Sequence, residues 1–185
     1  MTRLDPRAPL VVDTRDLGRR AGSMSELDRT VPAPADLGVA DVIFVPEGSD
    51  LHLHLRLESV VEGVLVTATA RAAVSGECGR CLEPLAREVE ASFQELYLYP
   101  DQHDDDEEAE RLEGDFLDLE PALRDAVVLS LPLRPVCRDD CPGLCSQCGA
   151  RLADDPEHQH DEVDPRWAAL TNVLGSPAEP TEKES

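Results

Sequence analysis

The sequence predicts an α+β fold: an antiparallel β-meander with one packed helix, zinc-knuckle or zinc-ribbon-like lobes and a short C-terminal helix. Three observations lead there. Three successive segments alternate apolar with polar residues, one stretch between Asp118 and Pro132 repeats at helical spacing, and six cysteines fall in three close pairs followed by His158 and His160.

The elements follow in chain order. Residues 1–38 hold an apolar run at 10–12, read as a short strand, and then an irregular arm rich in Arg, Asp, Gly and Pro that ends at Val31-Pro32-Ala33-Pro34. The main zinc-binding domain is expected over 39–174. Leu51, Leu53, Leu55 and Leu57 alternate with His52, His54, Arg56 and Glu58, the period of a half-buried strand, which turns both histidines away from the core. Val64, Val66, Ala68, Ala70, Ala72 and Val74 mark a second strand, and Leu85, Val89, Ala91, Phe93, Tyr97 and Tyr99 a third. Their short joins require antiparallel pairing, because a parallel pair needs a long crossover.

Residues 101–113 carry eight acids against Arg111, a net charge of −7, and like-charge repulsion makes this a solvated, disordered loop. Asp118 then caps a helix with Pro121 in its first turn, Leu119, Leu123, Ala126 and Val127 on one face, and Pro132 as its stop. Asp164-Pro165-Arg166-Trp167 opens a short C-terminal helix with Trp167, Leu170 and Leu174 on one stripe. Residues 175–185 read as a disordered tail.

The charge balance narrows the function. With 39 acidic against 17 basic side chains in 185 residues, the formal net charge is −22, so phosphate backbones and anionic membranes are repelled on average. One Trp, two Tyr and three Phe leave little for stacking unpaired bases. Any contact with RNA must be local or indirect. No stretch approaches the roughly 18 apolar residues of a membrane span. The expected compartment is the cytoplasm, where paired cysteines serve as metal ligands or redox centres more often than as disulfides.

The pairs are Cys78-Gly-Arg-Cys81, Cys137-Arg-Asp-Asp-Cys141 and Cys145-Ser-Gln-Cys148-Gly149, with His158 and His160 downstream. A two-residue gap lets one tight turn offer two thiolates to one tetrahedral ion, and thiolate and imidazole donors suit zinc. Eight candidate ligands make two four-ligand sites. Cys78 and Cys81, at the turn between the second and third strands, are assigned with Cys137 and Cys141 to one. Cys145, Cys148, His158 and His160 form a local second. A rival scheme joins Cys137, Cys141, Cys145 and Cys148, leaving Cys78 and Cys81 to histidines or without metal. His158 and His160 also fit solvated residues in a charged loop. A thioredoxin-like couple would open a helix after a strand, whereas Cys78 and Cys81 join two strands. A catalytic zinc keeps an open position that this ligand count closes. His103 has no evident partner.

Of the 17 basic residues 16 are Arg, and Arg80, Arg134, Arg138 and Arg151 lie beside or just past the cysteines. They either compensate thiolate charge or form a small phosphate-gripping patch for RNA or a partner.

Together, Cys78-x-Arg80-Cys81-Leu82, Asp118-Leu119, Leu131-Pro132-Leu133, Cys137-x-x-x-Cys141-x-Gly143-Leu144-Cys145-x-x-Cys148-Gly149 and Asp164-Pro165-Arg166 with Ala169-Leu170 resemble the YceD family. These bacterial and plastid proteins are associated with accumulation of large-subunit ribosomal RNA. His158-Gln159-His160 stands where many relatives have Cys-x-Cys. The resemblance implies a process, 23S rRNA accumulation and large-subunit assembly. It also implies a partner, because the family's gene commonly precedes that of a small basic ribosomal protein of the large subunit. The expectation is a non-enzymatic ribosome-biogenesis factor that carries one or two Zn2+ ions and binds that protein or a pre-ribosomal particle. The alternatives are local rRNA binding through the Arg patch and a zinc- or thiol-dependent enzyme.

Overall fold

The computed structural model describes residues 4–102 and 109–160, and the chain divides into two compact units, 1–143 and 144–185. In chain order the elements are β1 (Val11–Asp13), β2 (Met24–Pro32), β3 (Leu37–Val39), β4 (Ile43–Val45), β5 (Asp50–Ser59), β6 (Gly63–Glu77), β7 (Pro84–Leu98), β8 (Phe116–Asp118) and α1 (Glu120–Ser130). All belong to the first unit, and the fold is α+β as the sequence predicts.

The meander consists of β5, β6 and β7, with Leu51 opposite Ala72 and Val64 opposite Tyr97. One face buries Leu51, Leu53, Leu55 and Leu57 with Val64, Val66, Ala68, Ala70 and Leu85. The other face exposes His52, His54, Arg56, Thr67 and Arg71, as the alternation requires. Leu10, Val12, Leu117, Leu119, Leu123 and Val127 bring a second buried layer from β1, β8 and α1. Tyr97 is fully buried, and its hydroxyl donates to the Asp118 carbonyl at 2.9 Å, so the phenol reaches a polar partner without leaving the core.

Three expectations change. The irregular arm before residue 38 contains β2, a nine-residue edge strand paired with β5 from Met24 opposite Glu58 to Pro32 opposite Asp50. Its core-facing phase is Ser25, Leu27, Arg29 and Val31, and a guanidinium there hides the alternation. Arg29 Nη1 donates to the Val11 carbonyl at 3.1 Å, which satisfies the charge at the sheet margin. The sheet also gains β3 and β4, with β4 taking the edge of β6 beyond the end of β5. Gly76 permits this, since a Cβ there would sit 2.3 Å from the Val42 carbonyl oxygen.

The acidic segment is held at its downstream end. Leu98 N–H donates to the Glu110 carbonyl and Leu112 N–H to the Leu98 carbonyl at 2.9 and 3.0 Å, and Leu112 is buried. A single apolar side chain in the core overrides the charge there. The capping of α1 is also displaced by one residue. Leu119 occupies the cap position, and the Asp118 carboxylate accepts the Glu120 N–H at 2.9 Å. The helix ends as expected, Leu131 turning extended just before Pro132. His103, the helix expected from 164 and the tail from 175 lie outside the described residues.

Candidate metal centres

The turn between β6 and β7 is a knuckle. The Cys78 N–H donates to the Glu83 carbonyl at 2.8 Å, the Leu82 N–H to the Cys78 carbonyl at 2.9 Å, and the Arg80 N–H points at Cys78 Sγ at 3.5 Å. This geometry holds the two sulfurs on one side of the turn. The segment after α1 returns to it: Gly79 N–H donates to the Pro135 carbonyl at 2.8 Å, and Arg87 hydrogen-bonds the Val136 carbonyl. Cys137 and Cys141 are thereby brought to the knuckle.

Cys78 Sγ lies 3.9 Å from Cys141 Sγ, and Cys81 Sγ lies 3.7 Å from Cys137 Sγ, with all four sulfurs within 4.8 Å of one another. A tetrahedral ion with Zn–S bonds of about 2.3 Å sets its sulfurs about 3.8 Å apart. The four thiols therefore fit a zinc-sized ion. Cys78, Cys81 and Cys141 are 0 %, 5 % and 4 % exposed, whereas Cys137 is exposed, so the centre is buried on three sides and meets solvent at Cys137.

The electrostatics are those of four crowded sulfurs. Burial pushes the Cys78 thiol up, but backbone N–H groups of Arg80, Cys137 and Cys81 outweigh it and bring Cys78 down to about 6. The Cys141 thiol, then burial and the other sulfurs, push Cys137 up to about 12. Crowded sulfurs cannot all ionise unless a positive ion shares the charge.

The second unit repeats the knuckle. Cys145 N–H donates to the Ala150 carbonyl at 2.7 Å, Gly149 N–H to the Cys145 carbonyl at 2.9 Å, and Gln147 N–H points at Cys145 Sγ at 3.5 Å. Backbone N–H groups of Cys148 and Gln147 lower Cys145 to about 6. Cys145 Sγ is 3.2 Å from His160 Nε2, Cys148 Sγ is 3.2 Å from His158 Nε2, and the two Nε2 atoms are 2.9 Å apart. Zinc bond lengths give about 3.5 Å for sulfur to nitrogen and about 3.3 Å between nitrogens, so the donors converge slightly inside that figure. His158 Nδ1 faces Asp155 Oδ2 at 3.8 Å, the side on which a ligating imidazole takes an orienting carboxylate. Cys148 and His160 are exposed.

Among the described residues the eight predicted ligands thus gather in two sets, the sets of the first scheme. The arginines are not a free patch. Arg80 Nη1 donates to the carbonyls of Asp139 and Cys141 at 3.2 and 2.9 Å, joining the two halves of the first centre. Arg138 pairs with Asp140 at 3.3 Å and Arg151 with Asp154 at 3.7 Å. Arg134 is exposed on a groove that Arg80 also lines. Leu82 entered the sequence reading only as part of the family resemblance; its φ of 60° matches the 74° of Gly149 at the same place in the other knuckle.

Residues 66–174 match the family model described as "Large ribosomal RNA subunit accumulation protein YceD". The chain belongs to the YceD family. All eight candidate ligands fall inside the matched span. Uncharacterized proteins of Mycobacterium bovis and Mycobacterium tuberculosis are each 49% identical to this YceD-family chain over 172 residues, covering 91% of it and 83% of their own length. One of Mycobacterium leprae is 40% identical over 172 residues, covering 90% and 78%. No solved structure matches. Among the described residues no helix is long and apolar enough to cross a membrane.

Proposed function

We propose that this YceD-family protein is a non-enzymatic factor in large-subunit ribosome biogenesis. It supports accumulation of 23S rRNA by holding a basic ribosomal protein or a precursor particle, and Zn2+ at both centres serves as scaffold. Family membership is the observation that carries this reading, since the family's description names large-subunit ribosomal RNA accumulation. The ligands agree with it: each centre offers four donors and so leaves an ion no open position for substrate. Cys78, Cys81, Cys137 and Cys141 hold one ion, and Cys145, Cys148, His158 and His160 the other. A net charge of −22 favours a basic partner through faster encounter and shielding from wrong contacts.

Direct rRNA binding through Arg80, Arg134, Arg138 and Arg151 is the weaker reading, because Arg80, Arg138 and Arg151 already serve carbonyls and carboxylates of this chain. Affinity capture at near-physiological salt tests the proposal. Recovery of a large-subunit ribosomal protein or precursor particle is expected, together with about two zinc ions per chain by elemental analysis, one for each four-ligand set. A clean preparation that captures neither protein nor particle would sink it.

A further inference from the structure

We propose that the flank formed by the β3–β4 hairpin, the last turn of α1 and the first knuckle is a docking surface. Its occupant is a partner protein segment that is apolar on one side and carries Lys or Arg along its margins. This rests on the reading above only for the partner being a basic protein.

Three adjoining hollows of about 440, 380 and 640 Å³ run along this flank. Asp36 and Gly38 line both the first and second, and Asp41 lines both the second and third. Val128, Leu129, Phe44, Val42, Leu82 and Leu133 give the row its apolar surface. All six are exposed, Leu82 at 61 %, Leu129 at 83 % and Leu133 at 100 %. Single exposed apolar residues are ordinary on a monomer, whereas a contiguous row marks a surface that is covered in use.

Leu82 sharpens this. It adopts the left-handed conformation that Gly149 adopts in the second knuckle. Glycine takes that conformation freely, but a residue with a Cβ pays about 1 kcal/mol or more. The turn accounts for the conformation but not for a leucine in it, whose side chain is largely exposed; contact with a partner accounts for the side chain.

The margins state the partner's charge. Asp36, Asp41, Glu47, Glu77, Asp125 and Asp139 line the same hollows, and none forms an ion pair among the described residues. Arg80, Arg124 and Arg134 also line them. Arg80 is committed to the carbonyls of Asp139 and Cys141, and Arg124 to those of Ala35 and Asp36 and to Glu120. Six carboxylates against three guanidiniums, two of them engaged, complement a basic segment. The same field repels a nucleic acid, an anionic membrane or a second copy of a chain with net charge −22.

The full chain carrying the photo-crosslinker p-benzoylphenylalanine at position 129 or 133, or at 67 on the polar sheet face as control, is irradiated in cells and the captured peptide sequenced. Both flank positions should capture one protein through a peptide bearing Lys or Arg beside apolar residues, and position 67 should not. Leu82→Gly should lower that capture about fivefold or more while leaving the thermal midpoint unchanged or higher. Capture of RNA, of an acidic peptide, of a second copy or of residues 161–185 overturns the proposal. So does equal capture at 67, or no capture at all. A basic but non-ribosomal protein on the flank would keep the surface and refute the ribosomal reading. A ribosomal protein captured only at 67 would do the reverse.

Discussion

The two candidate metal centres share one turn and differ in everything around it. In each knuckle the first cysteine donates its N–H to a carbonyl five residues on, the fifth residue donates back at 2.9 Å, and the third N–H points at the first sulfur at 3.5 Å. At Cys78 this turn closes the end of the central hairpin, and three of the four sulfurs are buried. At Cys145 it is followed, among the described residues, by turns and loop up to residue 160, and two of the four ligands are exposed. The knuckle is therefore a local property of the Cys-x-x-Cys turn. An ion bound at each would do different work: it would tie a returning segment to an existing core in the first unit, and add a cross-link within residues 144–160, where no apolar side chain is buried.

The largest effect expected from this difference is at the buried centre. Cys141→Ser should remove one metal equivalent and lower the urea-unfolding free energy by more than about 3 kcal/mol. Cys148→Ser should remove one equivalent and leave unfolding of the first unit where it was. Equal losses in the two variants would erase the distinction.

A strong chelator should act in sequence. Hydrogen exchange is expected to rise over 144–160 before it rises at 78–82, because the second centre has exposed ligands and little apolar burial behind them. A uniform rise along the chain contradicts this. Exchanging the fifth residues is a smaller test. Gly149→Leu should destabilise its unit by about 1–2 kcal/mol, and Leu82→Gly should stabilise the first unit by less than about 1 kcal/mol, relief of strain exceeding glycine's extra chain entropy. Loss of stability in Leu82→Gly would mean that its side chain packs within the chain after all.

Acid should fail to separate the two centres when metal is absent. Cys78 and Cys145 are both lowered to about 6 from the ordinary thiol value of 9.0, mainly because backbone N–H donors of the turn outweigh burial. A thiol acidified by folding stabilises the folded state above its unfolded pKa, and that contribution is lost as the pH falls through the folded value. Metal-free protein should thus lose thermal stability between about pH 9 and pH 6 in both units alike. A midpoint that shifts in only one unit would show that surroundings, not the turn, set the thiol chemistry.

Much of this was legible beforehand. Alternation at Leu51 to Leu57 and Val64 to Val74 announced two strands and the face each buries, and Pro132 announced the end of α1. β2 was not legible, because Arg29 occupies its core phase, where it is half-buried and bonds the Val11 carbonyl. The downstream end of the acidic segment was not legible either, since one buried leucine at 112 outweighs the charges around it.

The sequence by itself determined the donor set, the two Cys-x-x-Cys turns and the charge, because each depends on residue type and short spacing. Only the tertiary structure decided which cysteines share a centre, since that depends on α1 packing against the sheet and returning Cys137 and Cys141 to the hairpin turn. It alone decided that Arg80 is tied to carbonyls rather than offered to phosphate, and that Leu82 and Leu133 line one groove. Residues 50 or more apart in the chain meet through packing, and no local pattern carries that information.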